Sequence, residues 1–348
     1  METLRVGIIG SGGIAQYAHI PNYQKCENVE VVACCDIVEE TAKKCAEKYG
    51  IPRVFTDYQK MLEDVRLDVV SVCTPNYMHK DPTIAALNAG CHVMVEKPIA
   101  MNAIEGRAMV DAAKKNGRKL AMGLNMRQSS GAQALKRAMD AGDMGEVYFA
   151  KSLALRRRGI PGWGVFGEKD KQGGGPLIDI GVHIMDLTLW LMGHPKPIAV
   201  SGQCYTKFGN RRDVIGLMGQ WNVDTFTVED FAVGLVRFEN GATLSVESSF
   251  AANIERDVFD CKILGTEGGC QLDPLRIFTE RNKTLYDITP YGLPGNVNTH
   301  EQNIRKFVDA VRNDTEVPVP GEHGLMVTEI IDAIYESSEK GHEVKIER

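Results

Sequence analysis

The chain has 348 residues, with 43% apolar and 25% charged side chains, the composition of an ordinary globular protein with room for two domains. A formal charge of −6 gives no basic footprint for nucleic acid or an anionic membrane surface, so neither is an expected partner. No apolar run reaches the ~18 uninterrupted residues of a membrane span. The nine cysteines are odd in number, scattered and never spaced C-x-x-C. That pattern reads as reduced, packed thiols without a disulfide framework or zinc site. A strand beginning by about Leu4 leaves no room for a signal peptide, so the cytoplasm is the expected location.

Leu4–Ile9 (LRVGII) is a continuous apolar run, as expected of a parallel strand buried on both faces. Gly10-Ser11-Gly12-Gly13-Ile14-Ala15 follows, a G-x-G-x-x-A turn leading into a helix that reaches about Lys25. Gly10 permits the tight turn, Gly12 lets the backbone approach a pyrophosphate, and Ala15 lets helix and strand pack closely. Amides at the helix start would hold the phosphates. A second strand, Val29–Cys35, ends at Asp36, where a carboxylate accepts from the adenosine ribose hydroxyls. Ile37 follows rather than an arginine for a 2′-phosphate, so NAD is expected over NADP.

Strands and helices go on alternating. Helices are expected over Glu39–Tyr49 and Tyr58–Glu63, with a short strand near Val54. Leu67–Cys73 is the next strand, and Asp81-Pro82 is expected to cap and start a helix. Cys91–Val95 ends in Glu96-Lys97-Pro98, Asn102 caps a helix to about Asn116, and Lys119–Gly123 is a sixth strand. This order predicts a doubly wound parallel sheet with ligands at the carboxyl ends of its strands. Gly10, Asp36, Thr74, Asn76, Lys97 and Asn125 all fall at or just after such ends. A partly desolvated lysine there can serve as an acid or base. Glu96 beside it is a candidate helix or cofactor contact.

After Gly123 the period changes. A helix around Ala132–Ala141 precedes strands at Glu146–Arg158, Ile198–Phe208, Phe231–Phe238, Thr243–Phe250, Arg256–Leu264 and Cys270–Leu272. Asn240-Gly241 is a hairpin signal. Two late helices are expected near Glu301–Val311 and Gly324–Lys340. The fold class is therefore α/β: a doubly wound parallel-sheet domain over 1–124, then a domain with a mostly antiparallel sheet over 125–348.

Pro176–Met192 reads as a helix apolar on nearly every side, which belongs in a protein interior. Asp179, His183 and Asp186 form a polar stripe along it. Burying an unpaired carboxylate is costly, so the stripe must meet partners or line a polar cleft. The stripe could also hold one metal ion, but no other clustered ligands support that, and no metal is expected. Arg156 and Arg158 share one face at the end of the long strand, and the next loop carries Trp163. Arginines beside an aromatic face can hold a sugar ring, or can simply be surface and packing residues. His300, before the penultimate helix, is a further cleft candidate.

Together these motifs resemble the Gfo/Idh/MocA oxidoreductases: GIIGSGGIA at the start, Cys73-Thr74-Pro75-Asn76 with His79, Glu96-Lys97-Pro98, and GGGPLIDIGVH over 173–183. The resemblance covers essentially the whole chain. It implies a tightly held NAD, with Gly10, Gly12, Gly13, Ile14, Asp36, Thr74, Asn76, His79, Glu96, Lys97 and Asn125 toward the cofactor. It implies an N-terminal Rossmann domain and a C-terminal α/β domain with an open, mostly antiparallel sheet that often forms the oligomer interface. It also implies a catalytic set of Lys97, Asp179 and His183, and a polyol or sugar-like substrate, for which Arg156, Arg158, Trp163 and His300 are the binding candidates. The stretch RRRGIPGWGVF at 156–166 is most similar to the branch that oxidises the 3-hydroxyl of glucosides, including C-glycosides. Alternatives are an inositol or polyol dehydrogenase, an NAD-dependent glycosidase working through a 3-keto intermediate, and a non-catalytic NAD-binding sensor.

Overall fold

The structure, a computed structural model, describes residues 2–346. The chain forms two compact units: Met1–Asn125 with Asn298–Leu325, and Met126–Val297 with Met326–Arg348.

The first unit is built on six parallel strands: β1 (Leu4–Ile9), β2 (Val29–Cys35), β3 (Arg53–Phe55), β4 (Val69–Val72), β5 (His92–Val95) and β6 (Leu120–Met122). Their spatial order is β3-β2-β1-β4-β5-β6. Chain order reverses between β1 and β4, and ligands of such sheets bind at this switch point. The helix after the glycine turn widens into a π-turn over Ala15–His19, just ahead of Pro21, whose missing N–H breaks the regular ladder. Asn102 caps Ala103–Asn116 by accepting from the Glu105 amide at 3.0 Å. The helix expected to start at Asp81-Pro82 starts earlier, at Lys80, and Pro82 still lies in the first turn, where a missing N–H costs nothing.

Residues 298–325, expected with the second domain, belong to the first unit. The physical reason is the apolar face of the helix Thr299–Asn313. Its Ile304, Phe307 and Val308 complete one buried cluster with Val6, Ile8 and Tyr23. Lys25 pairs with Glu301 at 2.7 Å, and Arg312 donates to the Asn28 carbonyl at 2.8 Å.

The second unit holds a nine-stranded sheet: β7 (Val147–Leu155), β8 (Pro197–Tyr205), β9 (Phe231–Phe238), β10 (Thr243–Ser249), β11 (Val258–Gly265), β12 (Gly268–Gln271), β13 (Arg276–Arg281), β14 (Thr284–Ile288) and β15 (Val344–Lys345). The order is β14-β13-β12-β11-β7-β10-β9-β8-β15. Only β7 and β10 pair in parallel; the other neighbours are antiparallel. The helix Val182–Leu191 lies across β7 and β11. Gly202 and Gly234, paired across β8 and β9, leave the hollow that Ile334 of the helix Gly321–Lys340 fills. The hairpin β13–β14 has no Asn-Gly signature. It turns instead through Asn282 (φ 52°) and Lys283 (φ 58°), both left-handed.

All nine cysteines are free thiols, eight of them buried. Among the described residues, no helix is long and apolar enough to cross a membrane.

Candidate active site

Gly10 adopts φ +88°, and a Cβ there would lie 2.7 Å from the Cys73 carbonyl. Only glycine therefore fits where β1 passes the end of β4. Gly12 and Gly13 face open space, so the backbone is bare where a pyrophosphate would sit. Asp36 closes the turn: its Oδ2 accepts from the Ser11 amide at 2.9 Å and its Oδ1 from the Val38 amide at 3.0 Å. Beside it runs a cleft of about 360 Å³ lined by Gly10, Gly12, Asp36, Ile37, Thr74 and Tyr77. Its largely apolar walls suit an adenosine base, and its Asp36 edge suits ribose hydroxyls. Ile14 and Ala15 carry the chain into the helix.

The loops after β4 and β5 are tied to each other. Thr74 donates its hydroxyl to the Met78 carbonyl at 2.9 Å, and Asn76 opens the short turn Asn76–Met78. His79 is fully buried between two carbonyls, 2.9 Å from Thr74 O and 2.8 Å from Pro98 O. Burial lowers its pKa, and the two carbonyl contacts partly offset this. Glu96 is buried, with Oε1 2.7 Å from Nε2 of His19 and Oε2 accepting from the Lys97 amide at 3.3 Å. His19 Nδ1 meets the Ser71 hydroxyl at 3.1 Å, and Tyr23 reaches the same oxygen at 2.9 Å. Burial alone would discharge His19; the Cys73 sulfur and the Glu96 carboxylate reverse this and lift its pKa to about 10. Burial raises the Cys73 pKa in turn, partly offset by the His19 charge and hydrogen bond. The Glu96 carboxyl, against its own burial, is pulled down to about 2 by the His19 hydrogen bond and charge.

Asn125 donates to the Thr299 hydroxyl at 2.6 Å. His300 sits in the first turn of the helix that Asn298 caps, edge-on to Tyr17 with ring centroids 5.8 Å apart. Burial lowers its pKa, partly offset by the Glu96 charge.

In the second unit, the triple glycine is held by one buried carboxylate. Glu229 accepts from the Gly175 amide at 2.8 Å, the Leu177 amide at 3.2 Å and the Tyr335 hydroxyl at 3.0 Å. From there the chain enters a π-turn, Leu177–Gly181, and continues as the helix Val182–Leu191. Asp179 lies on the π-turn, 8% exposed, and His183 in the first helical turn is half-buried. A Cβ on Gly181 would lie 2.4 Å from Ser248 Oγ, so this turn rests on the end of β10. Asp186 has a different environment. It is fully buried and bound by Arg127, Nε to Oδ2 at 2.9 Å. The stripe therefore divides, and Asp186 is not available to join Asp179 and His183 on one ion. Among the described residues no metal-binding cluster forms.

Arg156 and Arg158 leave the end of β7, beside the same end of β10: the Arg156 amide donates to the Ser249 carbonyl at 3.0 Å. Arg156 also donates to the Gly159 carbonyl at 3.1 Å. Arg158 is pinned by the Ala252 carbonyl at 2.8 Å and Asn253 at 2.5 Å, with its guanidinium over the Phe208 ring. Trp163 is 56% exposed on the following loop, edge-on to Phe166.

A family model described as "Oxidoreductase family, NAD-binding Rossmann fold" (GFO_IDH_MocA) matches residues 4–124, and its companion, "Oxidoreductase family, C-terminal alpha/beta domain", matches 136–346. The chain belongs to the Gfo/Idh/MocA oxidoreductase family. The fold is the one expected from the sequence, and the cofactor of the first unit is NAD(H). The chain is 39% identical to the D-glucoside 3-dehydrogenase of Escherichia coli K12, over 99% of this chain and 97% of that protein. It also resembles the crystal structure of aldose-aldose oxidoreductase from Caulobacter crescentus complexed with glycerol (TM-score 0.81, 27% identity, 99% of this chain and 100% of that one). A third similarity is to levoglucosan dehydrogenase in complex with NADH and L-sorbose (TM-score 0.85, 26% identity, all of both chains).

This Gfo/Idh/MocA member carries supporting residues that sequence reading did not single out: His19, Arg127, Glu229 and Tyr335. Their partners lie 77, 59, 52 to 54 and 106 residues away, so no local spacing announces them.

Proposed function

We propose that the chain oxidises a ring secondary hydroxyl of a sugar to a ketone, acting at the 3-position of a glucoside. The observation that carries this reading is the likeness to D-glucoside 3-dehydrogenase along nearly the full chain, in a sequence that carries Lys97, Asp179 and His183. NAD, tightly held in the glycine-turn cleft, supplies the two-electron acceptor. His183 takes the hydroxyl proton, and the Lys97 ammonium donates a hydrogen bond to the same oxygen as negative charge develops on it. Lys97 and His183 can exchange these two roles. Asp179 orients the pair. Gly10, Gly12, Gly13 and Ile14 bind the pyrophosphate, and Asp36 the ribose. Thr74, Asn76, His79, Glu96 and Asn125 shape the nicotinamide end. Arg156, Arg158, Trp163 and His300 bind the sugar.

The open sheet supports a homo-oligomer: Tyr148, Leu264, Leu285 and Tyr286 are exposed around one shallow groove on it. Buried reduced thiols support a cytoplasmic setting. The test is nicotinamide absorbance after adding methyl glucoside or myo-inositol in separate cuvettes, with product NMR to locate the ketone. Reduction by the glucoside with a 3-keto product supports the reading. Reduction by inositol alone, or glycoside cleavage without net NADH, overturns it.

A further inference from the structure

We propose that His19 and Glu96 form a positioning pair that sets the backbone direction of Lys97 and ties it to the phosphate-binding helix. This rests on the reading of Lys97 as a group that contacts the substrate hydroxyl.

The Glu96 carboxylate has two oxygens and two tasks. Oε1 meets His19 Nε2 at 2.7 Å; Oε2 accepts the amide of Lys97 at 3.3 Å. The second contact limits rotation about the bonds that aim the Lys97 side chain. The first fixes the carboxylate itself, because His19 stands on the helix that begins at the glycine turn. His19 is anchored in turn through Ser71 of β4, which also meets Tyr23. Space for the carboxylate exists only because residue 123 is glycine: a Cβ there would lie 2.6 Å from Glu96 Oε1. His19 and Glu96 are 2% and 7% exposed, so no solvent competes for either contact. A buried charge pair is a weak source of stability, since desolvation offsets the attraction. What it supplies here is geometry. The segment that holds the phosphates and the residue that meets the hydroxyl become one hydrogen-bonded body.

The test is a double-mutant cycle with Lys97, read as kcat, KM for methyl glucoside, NAD affinity and thermal midpoint. Glu96→Gln keeps size and shape but loses the charge. It should lower kcat roughly tenfold, with KM for the glucoside changed less than about threefold. In a Lys97→Ala background the same change should lower the remaining turnover less than about twofold. His19→Gln, whose amide can still donate to Glu96, should keep more turnover than His19→Leu. A Glu96→Gln loss that is equal with and without Lys97 would overturn the positioning role. So would an unchanged kcat in Glu96→Gln with only the thermal midpoint lowered. Full turnover in Lys97→Ala itself would instead sink the underlying assignment of Lys97.

Discussion

Arg127 and Asp186 face each other as a two-pronged ion pair shut away from solvent, Nε to Oδ2 at 2.9 Å and the terminal nitrogen to Oδ1 at 2.5 Å. The guanidinium also lies 5.7 Å from the Trp190 ring centroid. The pair anchors the helix Val182–Leu191 to the segment just past β6, and so fixes the element on which His183 stands. Removing one partner leaves the other charge buried and uncompensated. Asp186→Asn should therefore cost about 3–5 kcal/mol in urea unfolding, and Arg127→Met a similar amount. The double variant Arg127→Met with Asp186→Leu should recover most of the loss, because a packed apolar pair is often as stable as a buried ionic one. If both single variants unfolded at the wild-type urea midpoint, the pair would not anchor the helix.

Asp36 spends one oxygen on the Ser11 amide and the other on the Val38 amide, and each oxygen keeps a further lone pair for a ligand. A 2′-phosphate placed there would meet a carboxylate, and Ile37 offers it no charge. Asp36→Ser together with Ile37→Arg should weaken NAD roughly tenfold and bring NADP affinity to or above that of NAD, read by fluorescence titration. Unchanged preference would mean that the ribose lies elsewhere in the cleft.

The His19–Glu96 pair makes a pH-dependent contribution to stability with a definite sign. Against burial, the Glu96 hydrogen bond and charge raise the His19 pKa above an ordinary 6.5, so the pair's share is full below 6.5 and is lost as pH climbs through the raised value. The Glu96 pKa falls from 4.5 to about 2, so its share is full above 4.5 and is lost as pH falls toward 2. Both shares describe one interaction and are not to be added. The stability difference between wild type and a His19→Gln/Glu96→Gln double variant should be flat between about pH 4.5 and 6.5 and shift against the wild type on either side. A difference independent of pH from 4 to 9 would show that the pair is not charged.

Most of the fold was legible because it is written in local pattern. Six apolar strand runs alternating with helices, and a glycine turn after the first, admit little besides a doubly wound sheet. Asp36, Gly10 and Gly12 lie where that pattern puts them. The parts that escaped depend on long-range packing. Residues 298–325 look like any amphipathic helix with a tail. Only the exposed edge of the first core, around Ile8 and Tyr23, decides where Phe307 goes. The hairpin β13–β14 escaped because Asn282-Lys283 lacks a glycine at its left-handed positions. On 176–192 the sequence presents Asp179, His183 and Asp186 as one stripe. A regular helical projection could not divide Asp179 and His183 from Asp186, since a π-turn resets the spacing and the Arg127 partner lies 59 residues away.

The turn that delivers Asp179 rests on two contacts with Glu229, two residues ahead of β9, and both can be tested together. A Cβ on Gly175 would lie 2.1 Å from the Glu229 carbonyl oxygen, a backbone atom that cannot swing aside. Gly175→Ala must therefore displace the turn. Glu229→Gln keeps the shape but places an NH2 group against the Gly175 or Leu177 amide, so one buried donor loses its acceptor. That should cost about 1–3 kcal/mol of stability. A shift of about 1 Å in a catalytic group can cost up to about a hundredfold in rate, so each variant should lower kcat by roughly 10–100-fold. NAD affinity should stay near wild type, since the cofactor cleft lies in the other unit. Because both changes unseat the same turn, the double variant should be little worse than either single one. Wild-type kcat in Gly175→Ala would show that the turn does not govern Asp179, and multiplicative losses would show that Glu229 acts by a separate route.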